Sequence, residues 1–533
     1  MSYFPKTPRG AYLSATLRVV KAWQRAAVFC RKFMKACEPA HFRPMVHPRS
    51  VLVVILATVV LFGCGEQQIA KVPTSDQLMN ARLGSLLWQI SNPSKRHEIE
   101  GYASAVSVER GETISLFVNT GDPTYSMEIF RLGWYNGQGA TRMLPPIRRV
   151  GRRQPIPTPD PNTGIVECNW TDPLALPTAD PRTGEPWPSG VYLVKLSASP
   201  SGKQSYITFV VRDDHRHSDI LFQTSVNTYQ AYNFWGGHSL YTKPRSYRVS
   251  FNRPYRNGYG SGDFLFWEYS LARFLEREGY DVTYTTDVDT HAHGELLPWH
   301  KAFLAVGHDE YWSWDMRNNI AAARERGVNL GFFGANIGYW QIRFEPSAVT
   351  GQANRTIVCY KSSVTDPLAN DPDPRKRQLT TTQFRKPPVN RPEDALIGVM
   401  YDKALARADI VVQQPSSWVF EDTGVDQGDH LSGLLGYEAD RMFDHAPAGT
   451  ERIGHSPYDG NDTTIYSDMT IYQWRTGSKV FAAGSMQWNW GLDESFVLKG
   501  RAFANATAQA ATQNILINFG ALPNRSGQAA SAP

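Results

Sequence analysis

The chain has 533 residues, of which 41% are hydrophobic and 12% aromatic, so it can build large folded cores and is neither disordered nor a small disulfide-stabilised protein. Its formal net charge of +5 is unevenly distributed along the chain. Residues 1–63 hold ten of the 55 basic residues and one of the 50 acidic residues, which leaves 45 basic and 49 acidic residues in the remainder. Because the body of the protein is mildly acidic, we expect it not to bind nucleic acid.

Residues 51–63 form an uncharged apolar run that follows a basic segment. At 1.5 Å per helical residue this run is too short to span about 30 Å of hydrocarbon, so the pattern predicts an export signal over 1–63. The sequence Leu61-Phe62-Gly63-Cys64 resembles the lipobox of bacterial lipoproteins, which implies lipidation of Cys64. An uncleaved anchor helix is the alternative. We expect a cell-envelope protein that is lipid-anchored to the bacterial membrane, on its periplasmic or surface side.

Cys168 and Cys359 are the cysteines that remain in the body of the protein beyond Cys64. In an exported protein these two cysteines can either form one disulfide or remain two free thiols. No Cys-x-x-Cys pair and no Cys/His zinc spacing is present, which disfavours a structural zinc site.

After a polar tether over 64–98, residues 99–212 contain short runs of alternating apolar and polar residues separated by Gly, Pro and Asp. This period of two predicts β-strands, and strands without intervening helices predict an N-terminal immunoglobulin-like β-sandwich. The segment 145–188 holds 11 of the 35 prolines and is predicted to be a surface loop or flap.

From residue 213 to 523, apolar strand patterns alternate with helical ones. Predicted strands include Asp219–Thr224, Ala302–Gly307 and Asp409–Val412, and helices are predicted over Asp263–Glu278, Ser313–Arg326 and 504–518. The alternation predicts a doubly wound α/β domain of glutamine-amidotransferase-like type, so the fold class is a multidomain α+β one. Residues 364–395 read as an insertion within this domain, and 524–533 as a flexible tail.

Ligands of open α/β sheets bind beyond the carboxyl ends of the strands, and several predicted strands end in polar groups. The densest group is His308-Asp309-Glu310, although Asp309 or Ser313 could simply cap the following helix. No cysteine stands at this turn, and no Gly-x-Ser-x-Gly motif occurs in the chain. The chemistry that remains is that of a metal site or of acid–base groups.

The runs Arg131-Leu-Gly-Trp-Tyr, Pro188-Ser-Gly-Val-Tyr192, Asn227-Thr-Tyr229-Gln-Ala-Tyr232, Gly307-His-Asp-Glu-Tyr-Trp and Phe333-Gly-Ala-Asn336 carry a family resemblance. Over roughly 100–520 the chain resembles the N,N-dimethylformamidase large (beta) subunit and its C-terminal-domain-like exported relatives. That resemblance implies hydrolysis of an amide bond with a single iron ion, held by two tyrosinates and one glutamate.

Carried onto this chain, the resemblance implies Glu310 as the carboxylate ligand and Tyr229 as one tyrosine ligand, with Tyr232 as its substitute. The second tyrosine ligand falls on Tyr192. His308 and Asn336 match polar groups near the metal, which could shuttle a proton and donate to a developing oxyanion. Asp309 departs from the family pattern, which has a proline there, so Fe(III) is expected but another hard cation is possible.

Two functions follow from this sequence. The first is an exported, lipid-anchored, metal-dependent amidohydrolase-like enzyme that acts on a C–N bond of a small amide or an envelope-derived substrate. The second is a non-catalytic cell-envelope lipoprotein whose aromatic-rich cleft recognises a glycan or a protein partner. The oligomeric state is not readable from the sequence.

Overall fold

The computed structural model describes residues 83–256, 258–460 and 463–524. The predicted leader, the predicted lipidation residue Cys64, the first part of the tether and the tail after Asn524 lie outside these ranges. The described residues 83–497 and 501–524 belong to one compact unit, and apart from 498–500 everything below concerns that unit. Within the described ranges, no helix combines the length and the apolar character needed to cross a membrane.

Between residues 83 and 214 the described chain forms nine strands in two sheets. The strands are β1 (Ile99–Ala103), β2 (Ser107–Glu109), β3 (Thr113–Thr120), β4 (Thr124–Leu132), β5 (Ala140–Arg142), β6 (Ile147–Val150), β7 (Leu174–Pro177), β8 (Gly190–Ser199) and β9 (Gln204–Arg212). One sheet has the order β1-β3-β7, and the other has the order β2-β9-β8-β4-β5 with β6 paired to β4. These pairings are antiparallel except that of β2 with β9, which is parallel.

The two sheets enclose a hydrophobic core because their strands alternate in polarity. In β4, Tyr125, Met127 and Ile129 are buried, whereas the intervening Ser126 and Glu128 are partly exposed. The buried side chains of β4 pack in one cluster with those of β1, β3, β8 and β9.

The proline-rich segment 145–188 is more ordered than the predicted surface flap. It contributes β6 and β7 to the two sheets, and its Val166, Cys168 and Trp170 are buried against Trp235. The prediction was wrong for these parts, because proline limits backbone pairing but does not keep neighbouring side chains out of a core. Cys168 and Cys359 are both buried and form no disulfide.

The second half of the chain is built around a seven-stranded sheet. The strands of this half, in that sheet and in two smaller ones, are β10 (Ile220–Thr224), β11 (Arg248–Ser250), β12 (Val282–Thr286), β13 (Ala302–Gly307), β14 (Tyr311–Ser313), β15 (Asn329–Gly334), β16 (Trp340–Glu345), β17 (Thr356–Val358), β18 (Met400–Val411), β19 (His430–Arg441), β20 (Glu451–Asp459), β21 (Thr464–Gln473) and β22 (Lys479–Ala482). The sheet order is β12-β10-β13-β15-β22-β21-β20. The first five strands in this order are parallel, and β21 and β20 are antiparallel additions. β10, β12 and β13 are buried at every position, as expected for strands covered on both faces.

The helices connect these strands. They are Val226–Tyr232, Ser261–Asp263, Tyr269–Glu278, Asp287–Ala292, Trp314–Glu325, Pro374–Arg377, Asp394–Ile397 and Ala506–Asn518, with a π-helical turn over Phe264–Glu268. Short 3₁₀ helices cover Trp235–Gly237, Gly294–Trp299, Pro367–Asn370, Trp418–Phe420 and Met486–Leu492. Ser313 caps the helix Trp314–Glu325 by accepting from the Met316 N–H at 3.0 Å, so this helix uses neither Asp309 nor Glu310 as its cap.

The predicted strand at Asp409–Val412 overlaps the end of β18, which pairs antiparallel with β19 outside the seven-stranded sheet. β11, β17, β16 and β14 form a further four-stranded sheet, and two short strands cover Val497–Leu498 and Arg501–Ala502. The mixed α/β character predicted from the sequence is confirmed. The immunoglobulin-like and amidotransferase-like assignments, and the domain boundaries, stay predictions.

Strand order determines where functional groups gather. In the seven-stranded sheet β12 lies on one side of β10, and β13, β15 and β22 follow one another on the other side. The carboxyl ends of β10 and β13 therefore meet at the point where the strand order reverses, which is the usual ligand site of such sheets.

Candidate functional site

The helix Val226–Tyr232 and the loop after it bring tyrosines to the carboxyl end of β13. Glu310 lies in the short turn between β13 and β14 and is 3% exposed. Tyr232 donates to Glu310 Oε2 at 2.8 Å, and the Tyr241 hydroxyl lies 3.1 Å and 3.2 Å from the two carboxylate oxygens. The hydroxyls of Tyr241 and Tyr311 are 2.5 Å apart. We call Tyr232, Tyr241, Glu310 and Tyr311 the Glu310 cluster.

His308, Asn336 and Glu438 form a set of polar contacts next to this cluster. His308 Nε2 forms ion pairs with Glu438 Oε2 at 2.9 Å and with Glu310 Oε2 at 3.5 Å. Asn336, which follows β15, donates through Nδ2 to the same Glu438 oxygen at 2.9 Å. Glu438 lies on β19, so the site combines residues from the ends of β13 and β15 with one from the separate antiparallel pair.

The positively charged side chain of Lys361 lies against aromatic rings beside the cluster. Its Nζ lies 3.4 Å from the centre of the Tyr241 ring, 4.9 Å from that of Trp340 and 5.1 Å from that of Tyr311. The Tyr241 side chain is 44% exposed, so its ring forms part of the outer wall while its hydroxyl faces Glu310. Burial lowers the pKa of Lys361 to about 8, and Glu310 partly offsets that effect.

Burial makes negative charge costly at this site. Burial and the neighbouring Glu310 carboxylate raise the pKa values of Tyr232, Tyr241 and Tyr311 well above that of free tyrosine. Burial also raises the pKa of Glu310, although His308 and Lys361 act in the opposite direction. Four groups, three phenols and one carboxyl, that resist ionisation by themselves are a suitable environment for a cation, which would favour their charged forms.

The structure brings some predicted site residues together and separates others. His308 lies beside Glu310, and Asn336 is linked to His308 through Glu438, which both contact. The Tyr229 hydroxyl bonds to Glu268 instead of Glu310, and Tyr232, its predicted substitute, bonds to Glu310. Tyr192 lies in the sandwich core, where its hydroxyl donates to the Pro188 carbonyl at 2.7 Å and its ring stacks on aromatic neighbours.

Asp309 does not add a carboxylate to the Glu310 cluster. It is fully buried and accepts from Gln223 Nε2 of β10 at 2.6 Å. Burial raises its pKa to about 7. The sequence-based expectation that Asp309 alters the charge of a bound metal therefore has no support in these contacts.

Sequence reasoning did not select Tyr241, Tyr311, Glu438 or Lys361. Tyr311 stood inside the Gly307-His-Asp-Glu-Tyr-Trp run and could have been chosen from that motif. Tyr241 lies in a Pro- and Ser-containing loop, Lys361 follows a short strand, and Glu438 lies within a long one. None of these three positions carries a local signal of function.

The donor set can be compared with what a metal needs. Across 83–256, 258–460 and 463–524, no three His, Cys, Asp or Glu side chains are arranged as a metal site by themselves. A cation at the Glu310 cluster would therefore depend on phenol oxygens. Tyrosine and glutamate oxygens suit hard, highly charged cations, so the donor set fits such an ion.

Residues 126–505 match the family model described as N,N-dimethylformamidase beta subunit-like, C-terminal. The match begins in β4, ends immediately before the last helix and includes every residue of the site described above. Among curated proteins, none matches the chain.

Proposed function

The chain belongs to the N,N-dimethylformamidase beta subunit-like family, and from that premise we propose that it is a metal-dependent amide hydrolase. The observation that carries the proposal is the convergence of two tyrosine hydroxyls on one buried glutamate, at 2.8 Å for Tyr232 and 3.1 Å for Tyr241. Two tyrosines and one glutamate are the ligand types that the family resemblance implies. We assign these roles to Tyr232, Tyr241 and Glu310 in place of Tyr229 and Tyr192.

Iron is the metal that the resemblance favours, and another hard cation would use the same oxygens. When bound, such an ion lowers the pKa of a coordinated water and polarises an amide carbonyl, so no protein nucleophile is required. The Tyr311 hydroxyl, 2.5 Å from that of Tyr241, orients the Tyr241 oxygen towards Glu310.

His308 and Asn336 supply the proton transfer and the positioning. His308 Nε2 lies 2.9 Å from the Glu438 carboxylate, which favours a charged imidazolium, and it can pass a proton to the departing amine nitrogen. Asn336 Nδ2 uses one N–H for Glu438, which fixes the carboxylate behind His308. Its second N–H is left for an oxygen of the substrate.

Metal analysis of the purified full chain tests the ligand assignment. We expect one iron, or one other hard cation, per chain in the wild type. Tyr232→Phe, Tyr241→Phe and Glu310→Gln should each weaken metal binding by about tenfold or more, because each removes one of the three proposed ligands.

Tyr192→Phe and Tyr229→Phe are matched controls, since each removes one buried hydroxyl that bonds elsewhere. Both should retain wild-type metal content. Metal-free wild type, or equal metal in all five variants, would contradict the assignment. Release of amine from a panel of small amides then tests the activity, which should be lost in Glu310→Gln.

The predicted export and lipid anchoring at Cys64 rest on residues outside the described ranges. They remain part of the proposal as an expectation about location and are independent of the site.

A further inference from the structure

A cavity lies between the two halves of the described chain, away from the Glu310 cluster. Its walls come from β1, β8 and β9 of the first half and from the helix Val226–Tyr232 of the second half. Most of the lining is apolar, including Val106, Phe251 and Phe264. Arg253, Tyr255 and Arg355 also line it, and these residues are the subject of the inference.

Arg355 is 3% exposed and only partly bonded. Its Nε and Nη2 donate to Asn252 Oδ1 at 3.0 Å and 2.8 Å, and Nη2 also donates to the Ala103 carbonyl at 3.0 Å. Its Nη1 donates to no acceptor within the described ranges, and none of their carboxylates lies within ion-pair distance of the guanidinium. A guanidinium N–H₂ group that faces a cavity and has no acceptor on the protein can donate to a ligand.

Tyr255 provides a second free donor on the same wall. Its side chain also lines the cavity, and its hydroxyl forms no hydrogen bond with another residue in the described ranges. Burial and, next in size, the charge of Asp263 raise its pKa above that of free tyrosine, while Arg355 acts in the opposite direction, so the phenol stays protonated. A neutral phenol beside a guanidinium offers an O–H to an anion.

Arg253 adds a second buried positive charge. It is 1% exposed, and its guanidinium donates five hydrogen bonds, four to backbone carbonyls and one to Gln230. Burial lowers the pKa values of Arg253 and Arg355 to about 10, so both remain charged at neutral pH.

Glu167 is the carboxylate that partly compensates Arg355. Its Oε1 already accepts from Ser250, Asn252 and Ser347, which keeps it on the far side of Asn252 from the guanidinium. The cavity therefore has two cationic wall residues, two free donors and no carboxylate of its own in the described lining.

We propose that this cavity binds a small monovalent anion, a halide or a short carboxylate, between Arg355 Nη1 and the Tyr255 hydroxyl. The guanidinium supplies charge and one donor, the phenol supplies the second donor, and the apolar walls accommodate a weakly hydrated ion. Sulfate and phosphate fit poorly, because two donors and apolar walls do not replace the hydration of a doubly charged ion. The site is independent of the proposed amide hydrolysis.

Calorimetric titration of the full chain with sodium bromide and with sodium acetate, in chloride-free buffer, tests the proposal. We expect saturable binding at one site, and competition between the two anions shows which class binds more tightly. Tyr255→Phe should weaken binding about tenfold or more, the size expected for one hydrogen bond to a charged partner. It removes a hydroxyl with no bond to lose, so it should fold normally.

Arg355→Met should abolish binding, and Arg317→Met is its matched control. Arg317 is also a buried arginine whose Nη1 has no hydrogen-bond partner in the described chain, but it does not line this cavity. Crystals grown with bromide should show anomalous density beside Arg355 Nη1. Absence of saturable binding, wild-type affinity in Tyr255→Phe, or bromide density only at other places would overturn the proposal.

Discussion

The two parts of Asn336, its backbone and its side chain, perform separable tasks at the proposed site. Its backbone has φ of 55°, and its N–H donates to Asp440 Oδ1 at 2.8 Å. Its side chain donates to Glu438 at 2.9 Å. Asn336→Gly removes the side chain and keeps a residue that accepts positive φ easily, whereas Asn336→Ala removes the side chain and places a Cβ in the left-handed region.

The side chain and the backbone conformation of Asn336 should contribute different amounts to the free energy of unfolding. Both variants lose a hydrogen bond to a carboxylate, worth about 1.5–3 kcal/mol. Asn336→Ala should be less stable than Asn336→Gly by a further 1 kcal/mol or so, which is the left-handed penalty. If Glu438 must be held behind His308, kcat/KM for amide hydrolysis should fall roughly 10- to 100-fold, and equally in both variants.

The assays are urea denaturation followed by tryptophan fluorescence, and the steady-state rate of amine release. Equal stability of the alanine and glycine variants would refute the backbone argument. Wild-type kcat/KM in both variants would refute the role of the Asn336 side chain in positioning Glu438. A loss of activity in the alanine variant alone would show that backbone strain, and not the lost hydrogen bond, disturbs the site.

Three further predictions concern the scaffold. Arg131 and Glu276 form a buried ion pair at 3.0 Å, and removing one partner by Arg131→Met or Glu276→Leu should lower the free energy of unfolding by about 3–5 kcal/mol. Urea denaturation should show that the double variant loses less stability than the two single variants together, and simple additivity would contradict this. Burial lowers the pKa of His300 to about 4, so the unfolded chain binds a proton that the folded chain excludes, and folding should lose up to roughly 3 kcal/mol as pH falls from 6.5 to 4. His300→Gln should make the denaturation midpoint less sensitive to pH in that window, and an unchanged pH dependence would count against this reasoning. Gly307→Ala should lower the melting temperature more than Gly327→Ala. Both glycines have positive φ, but a Cβ at Gly307 would come within 2.8 Å of the Glu268 side chain, whereas Gly327 faces open space. Equal losses of stability would show that this steric clash contributes nothing.

Much of the secondary structure could be predicted because it depends on neighbours in the sequence. The apolar run Ala302–Gly307 is a strand, and Ser313 caps the helix that follows. The helix predicted from Asp263 to Glu278 is present but passes through a π-helical turn, which no periodicity indicated. His308, Glu310 and Asn336 follow predicted strands and match the family resemblance, and in the structure His308 contacts Glu310 while His308 and Asn336 both contact Glu438.

Neighbouring residues in the sequence do not indicate which tyrosines lie beside Glu310. Tyr229 and Tyr232 lie three residues apart on one helix, yet one hydroxyl reaches Glu268 and the other reaches Glu310. Tyr192 has the alternating environment of a core strand, and its hydroxyl is used within its own sheet. Sequence spacing does not distinguish these positions, because each is a buried tyrosine beside polar residues.

Residue order and composition are enough to establish an acidic body, a β-rich first half, an α/β second half and a cluster of polar groups after β13. Those features follow from charge counts, from periods of two and 3.6 residues, and from short-range capping, all of which act between near neighbours. The choice of Tyr232, Tyr241 and Glu438 as partners of Glu310 and His308 depends on packing between segments far apart in the chain. Those distances depend on the order of strands in the sheet and on where β19 lies relative to β13 and β15. No short sequence pattern predicts either of these features.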